Sequence, residues 1–101
     1  MPTRFEWDPA KATANLRKHA ISFDIALRAF ADSFALSHLT SIENGEFRWQ
    51  TLGVVEGYLL LLVAHTIHEE LEGSQSVEVI RIISARTADR KERKRYEQET
   101  R

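Results

Sequence analysis

Tyr58 to Ala64 is the longest unbroken apolar run in the chain, and His65-Thr66-Ile67 extends it without adding a formal charge. The run is far short of the ~20 residues that a membrane-spanning helix needs. Gly57 precedes it, and the acidic, Gly-containing stretch 69–76 follows it. A short apolar segment between such breakers reads as a central strand covered on both faces. The fold must therefore be a sheet with material packed on each side of this strand.

The flanking segments supply its partners. From Glu46 to Gly53 the pattern alternates, with Phe47, Trp49 and Thr51 on one face and Glu46, Arg48, Gln50 and Leu52 on the other. Val54-Val55-Glu56-Gly57 reads as a tight hairpin, Phe34 to Leu39 as a weaker strand, and Ser41 to Gly45 as a loop. Val77 to Ala85 is a further strand, with Arg81 set among Val79, Ile80, Ile82 and Ile83. Nearer the N-terminus, Phe5-Glu6-Trp7 suggests a short strand. Asp8 then caps a helix that starts at Pro9 and runs to about Lys18. Ser22 caps a second helix, with Phe23, Ala26, Leu27 and Phe30 at i, i+3, i+4 and i+7, ending near Asp32. A charged helix, about Ala88 to Gln98 with Thr87 as cap, closes the chain. The order β-α-α-β-β-β-β-α predicts one α+β domain over residues 1–101. Its core is an antiparallel meander of four to five strands, with two N-terminal helices and one C-terminal helix.

Hydrophobic residues make up 43% of the chain and charged ones 29%, a balance that excludes disorder and fibres. The absence of Cys removes disulfides and thiolate chemistry and fits a cytoplasmic setting. No secretory leader is expected from the residues around Phe5-Glu6-Trp7-Asp8. The net charge of -1 hides a segregation: residues 1–31 carry +2, residues 32–78 carry -7 and residues 79–101 carry +4. A basic end on a near-neutral chain points to a local anionic partner, or else to a solvated helix beside an acidic loop.

Few signatures of chemistry are present. The chain has no Gly-rich phosphate loop and no nucleophile elbow. His65 and His68 stand three apart, which on a strand turns the imidazoles to opposite faces, so no metal and no cofactor are expected. Arg81 is the most informative residue. A guanidinium among β-branched residues must be a phosphate clamp on a sheet face or the partner of a neighbouring-strand acid such as Glu46. Arg86 follows beside a helix N-terminus and is a second anion candidate, or a surface loop Arg. Five residues separate the two, so they share a face only if the strand ends or bulges near Ser84. His65 is either a proton carrier or a strand-end histidine bonded to a backbone carbonyl. The last helix carries Arg90, Lys91, Arg93, Lys94 and Arg95, with only Ala88 and Tyr96 for apolar contact. Such a helix floats on the surface, tracks a phosphate backbone, or docks on a partner.

Three stretches together resemble the BrnT family of toxins of bacterial type II toxin–antitoxin modules. They are Phe5-Glu-Trp-Asp-Pro-Ala-Lys-Ala with Asn15-Leu-Arg-Lys-His19 and Ser22-Phe23; Gly45-Glu-Phe-Arg-Trp-Gln-Thr-Leu-Gly53; and His65-Thr66 with Arg81-Ile-Ile-Ser-Ala-Arg86, Glu92-Arg93 and Tyr96-Glu97. The likeness spans nearly the whole chain in order. It has departures: Ala20 stands where a Gly usually follows the Lys-His pair, Ile42-Glu43 occupies the region of a His-Ser pair, and His68 stands where Arg is common. The resemblance implies a RelE-like fold and a metal-independent endoribonuclease that inhibits translation. It also implies a BrnA-type antitoxin as partner, with operator DNA contacted only through that antitoxin.

On this reading Arg81 and Arg86 hold the scissile phosphate, His65 moves protons, Glu46 is the alternative base, and Arg48 orients it or holds the scaffold. Lys11, Lys18, Arg90, Arg93 and Lys94 follow the RNA backbone. Trp7 and Trp49 are assigned to packing, with base stacking as the alternative. The competing reading is a catalytically inactive toxin-like module that acts only in complex with a partner protein.

Overall fold

The computed structural model describes residues 1–99. Five strands form one sheet: β1 (Thr3–Glu6), β2 (Leu36–Glu43), β3 (Glu46–Val55), β4 (Leu59–Glu72) and β5 (Gln75–Thr87). Their order is β1-β5-β4-β3-β2. Strands β2 to β5 make the expected antiparallel meander, but β1 lies parallel to β5, so the sheet is mixed. Two helices intervene between β1 and β2. That crossover carries the N-terminal strand to the far edge, where it runs alongside the last strand.

Helix α1 (Pro9–His19) starts where the sequence places it. The Asp8 carboxylate accepts from the Ala10 N–H at 2.9 Å, and Pro9 sits in the first turn. The Ser22 hydroxyl caps α2 (Phe23–Ala26) by accepting from the Ile25 N–H at 3.2 Å. The expected helix to Asp32 does not continue as an α-helix. It tightens into a 3-10 helix over Leu27–Ala31. This segment crosses the sheet over Gly53, where a Cβ would sit 2.3 Å from the Ala29 carbonyl oxygen. Only glycine permits that approach.

The last helix, α3 (Arg90–Glu99), is capped by Asp89, not Thr87. Asp89 Oδ1 accepts from the Glu92 N–H at 2.8 Å, and Glu92 Oε1 accepts from the Asp89 N–H at 2.9 Å. This reciprocal pair satisfies two of the donors that every helix start leaves open.

Two stretches read as loops are strand. Strand β2 runs on to Glu43 and turns at Asn44-Gly45, both with positive φ, the requirement of a two-residue hairpin. Strands β4 and β5 pair through Glu72↔Gln75, so the acidic stretch 69–76 is the end of a long ribbon turning near Gly73. Backbone pairing there outweighs the poor strand propensity of the glutamates.

The odd-numbered residues of β4 from Leu59 to His65 pack under α1, α2 and the 3-10 helix, with Phe23, Ala26, Ala29, Val55, Leu61, Val63, Ile82 and Ala85 forming the main core. Even-numbered residues face the other way. There Leu52, Leu60 and Leu62 form a smaller core under Ala88 and Tyr96. Full burial of such a side chain stabilises by roughly 1.5–3 kcal/mol. Tyr96 Oη donates to Asp32 Oδ2 at 2.5 Å, and that same oxygen accepts from the Val54 N–H at 2.9 Å. Burial, and then the Asp32 carboxylate, push the Tyr96 phenol up to about 12. Helix α3 is thereby pinned to one end of the second face. The remainder of that face stays open.

Candidate active site on the open sheet face

Strand register decides which polar side chains meet. Ser41, Arg48, Thr66, Arg81 and Glu6 are successive partners across β2, β3, β4, β5 and β1, and therefore form one row on the open face. Neighbouring strands lie about 4.8 Å apart, so Arg48 and Arg81 flank Thr66 at about 10 Å from each other. Arg81 Nη2 donates to both Glu46 carboxylate oxygens, at 2.7 and 2.8 Å. Arg48 Nη2 lies 3.9 Å from Glu46 Oε1 and its Nε lies 3.7 Å from Glu43 Oε2. The Arg81–Glu46 bridge joins β5 to β3 and so passes over β4, which lies between them. That roof accounts for the 2% exposure of Thr66 on an otherwise open face. The Thr66 hydroxyl and Arg48 Nε are buried and have no hydrogen-bond partner among the described residues.

Beside this row is a hollow of about 220 Å³ lined by Asp8, Lys11, Arg48, Arg81, Ile82 and Ile83. Helix α1 forms its wall because Asn15 binds α1 to the free edge of β5. The Asn15 amide donates to the carbonyls of Ala85 at 2.8 Å and Ile21 at 2.9 Å, and its oxygen accepts from the Ala85 N–H at 3.0 Å. In effect the side chain continues the sheet where β1 stops. Lys11, Ala14, Asn15 and Lys18, spaced i, i+3, i+4 and i+7, then present one α1 face to a second hollow, which also meets His19, Ile83 and Ser84. The two hollows share Lys11 and Ile83, and Lys18 lines the one and Arg81 the other.

Arg81 and Arg86 do share a face. The pairing skips Ile83, so a bulge restores both to the open side, at Thr66 and Leu62 respectively. They do not share a pocket, because four β4 residues, roughly 13 Å, separate those partners. Arg86 is instead clamped by Glu92 through two hydrogen bonds of 2.8 and 2.9 Å. That bond raises the guanidinium pKa further and lowers that of the Glu92 carboxyl. Arg86 thus fastens β5 to the start of α3. Arg90, Arg93 and Lys94 are exposed along α3, away from the hollow's lining.

His65 is on the wrong side. It pairs with Trp49 and Ile82, is 1% exposed, and lies edge-on to Phe30 at 4.8 Å on the helical face. Its Nδ1 contacts the Thr66 carbonyl at 3.3 Å and its Nε2 the Thr51 hydroxyl at 2.7 Å. A carbonyl only accepts, so Nδ1 carries the proton and Nε2 accepts from Thr51. Burial drives the imidazole down to about 4, so the ring is neutral at pH 7. Alternation along β4 separates it from Arg81, and the expected gathering of imidazole and guanidiniums does not occur. Trp7 packs edge-on against Phe23 at 5.8 Å, and Trp49 faces the helical side.

Thr66 and Asn15 are what the sequence reading missed. Thr66 was legible in principle, since a residue next to an inward His65 must face the other side. Asn15 carried no local signal, because its partner Ala85 is 70 residues away.

A sequence model of the BrnT family, described as the ribonuclease toxin of a type II toxin–antitoxin system, matches residues 7–92. Among solved structures the chain is similar to the Brucella abortus ribonuclease toxin BrnT, at 21% identity and a TM-score of 0.57. The similarity covers 89% of this chain and 100% of that one. No curated protein sequence matches.

Proposed function

Given that this chain belongs to the BrnT family of ribonuclease toxins of type II toxin–antitoxin systems, we propose that it cuts RNA on the open sheet face without a metal ion. The observation that carries this reading is the Arg48–Thr66–Arg81 row, with Glu46 bonded to Arg81 beside the hollow that Lys11 enters. In the free protein the Glu46 carboxylate occupies an anion position between the two guanidiniums. An RNA phosphate takes that position, held by Arg81 and Arg48. Glu46, displaced but adjacent, accepts the proton of the neighbouring 2′-hydroxyl. The 2′-oxygen attacks phosphorus, the bond to the 5′-oxygen breaks, and Lys11 returns a proton to the leaving oxygen. The products are a 2′,3′-cyclic phosphate and a 5′-hydroxyl. Fixed cations stabilise the negative charge that grows on the phosphorane.

Lys18, Arg90, Arg93 and Lys94 follow the flanking RNA, and Arg86 contributes by holding α3 in place. His65 supports the sheet and moves no proton. Cleavage of cellular RNA would inhibit translation, and a RelE-like toxin of this kind is neutralised by a BrnA-type antitoxin that alone contacts operator DNA. The setting is the cytoplasm. Among the described residues no helix is long and apolar enough to cross a membrane.

The test is incubation of the purified chain with end-labelled RNA in excess chelator. Products with 2′,3′-cyclic ends, lost in Arg81→Ala, support the assignment. Intact RNA, or cleavage only after a divalent metal is restored, overturns it. One observation favours the alternative of a binding module without turnover: both candidate guanidiniums, Arg81 and Arg86, are already neutralised by carboxylates. That reading, a toxin-like module acting only in complex with a partner protein, predicts no cleavage product and no growth arrest when the chain is expressed without its antitoxin.

A further inference from the structure

The helical face of the sheet is only half covered. The 3-10 helix crosses it at Gly53 and His65, and the part of the sheet toward Gly73 lies beyond that crossing. On that part the register places Ile42 opposite Phe47, Leu39 opposite Trp49, and Ile67 and Leu71 on the same side of β4. Ile42 is 59% exposed, Phe47 49%, Leu39 43% and Leu71 76%. Three adjacent strands thus present apolar side chains to water on one face. Leu39, Ile42, Phe47 and Ile67 lie together on these strands, with Leu71 further along β4 on the other side of Glu69, and exposed apolar surface of this kind marks contact sites.

The charges beside it identify what covers it. Glu69 and Glu78 are direct cross-strand partners on this same face. Like charges placed opposite each other are destabilising. On the open face of the same ribbon, Glu6, Glu70 and Glu72 all lie within ion-pair distance of Arg4, and His68 bonds Glu70 at 2.7 Å. Among the described residues Glu69 and Glu78 have no such cation, and Glu78 has only a 3.4 Å contact from the Thr3 hydroxyl. The strands bring no basic side chain to this region. Arg28, which lines the same hollow as Glu78, is already paired with Glu56, so a second copy meeting the patch through its own identical surface would bring more glutamate and no unpaired cation. A different polypeptide can bring one.

We propose that the antitoxin of this type II system docks here, through an extended or helical segment whose apolar side chains cover Ile42, Phe47, Leu39 and Leu71. Lys or Arg residues in that segment pair with Glu69 and Glu78. This places the antitoxin on the face opposite the Arg48–Arg81 row. The inference rests on family membership and on the surface, not on the cleavage mechanism.

The test uses the full chain, co-expressed and purified with the antitoxin encoded beside it, then separated and titrated by calorimetry. Ile42→Glu with Phe47→Glu should weaken binding at least ~100-fold, because apolar anchors at an interface centre dominate its affinity. Glu69→Gln with Glu78→Gln should weaken it roughly tenfold and flatten its salt dependence. The glutamine pair lies on an exposed ribbon, so it decides the matter if the first variant fails to fold. Wild-type affinity in a folded variant of either kind overturns the proposal. So does a wild-type chain that is dimeric by light scattering without antitoxin and monomeric as Ile42→Glu/Phe47→Glu.

Discussion

His65 and Thr66 are consecutive residues of β4 and equally buried, at 1% and 2% exposure, yet they stand on opposite faces of the sheet. The His65 ring has a partner at each nitrogen, and the network runs on through Thr51 to the Ser37 hydroxyl at 2.7 Å. The Thr66 hydroxyl has none. Burial is therefore no guide to which polar residue acts. A satisfied buried group belongs to the scaffold, whereas an unsatisfied one beneath a roof of charged side chains belongs to a place that another molecule completes.

If the faces divide the labour in this way, substitutions on them should fail differently. The largest effect is expected at Arg81. If Arg81 holds the phosphorane as proposed, Arg81→Ala should lower the cleavage rate 10²- to 10³-fold, about 2.7–4 kcal/mol of transition-state stabilisation. Its thermal midpoint should stay near that of the wild type, because the side chain is 38% exposed. Single-turnover cleavage and a melting curve on the same sample separate the two quantities. A rate within a few-fold of wild type would move the chemistry off this face.

The helical face should fail in stability, with a defined pH dependence. His65 titrates near its ordinary value when unfolded and at about 4 when folded, because burial opposes its charged form. Between these values the unfolded chain holds a proton that the native state refuses. The His65 contribution to stability therefore falls as pH drops from about 6.5 to about 4 and levels off below, where the lowered carboxyls of Asp32 and Glu92 carry the decline further. The loss from His65 is about 3 kcal/mol. Urea midpoints across this range measure it, and His65→Gln should flatten the curve while leaving cleavage by the folded protein intact.

Ala20 provides a control that belongs to neither face. It ends α1 in the left-handed conformation, φ 61° and ψ 23°, with its N–H bonded to the Leu16 carbonyl at 2.9 Å. Ala20→Gly should stabilise by about 1 kcal/mol, since glycine adopts this conformation without strain. Cleavage should not change, which would show that added stability alone does not alter the open face.

The division between faces was only partly legible in the sequence. The strand from Tyr58, the Asp8 and Ser22 caps and the alternation of β3 are local signals, and each appears in the structure. So does the Arg81–Glu46 pairing, which charge burial alone suggests. The parallel placement of β1, the bulge at Ile83 and the side of β4 that each residue faces depend on register between distant segments. No short window of sequence carries register. His65 looked catalytic by residue type, and only pairing with Trp49 and Ile82 puts it under Phe30.

The smallest expected effect is the one that most sharply divides the two faces. Thr66→Val keeps the side chain's shape and deletes only the hydroxyl. That hydroxyl is buried and has no partner among the described residues, so its removal should stabilise the fold by about 1 kcal/mol. On the proposed mechanism, a bound RNA phosphate would draw Arg81 from Glu46 and open the roof above Thr66, giving the hydroxyl a phosphate oxygen to donate to. Loss of one such bond lowers the rate by roughly tenfold. The signature is thus opposite in sign: a more stable protein that cuts more slowly. A structural threonine would lose both together, and a passive one would gain stability with no change in rate. Either result would return Thr66 to the scaffold with His65.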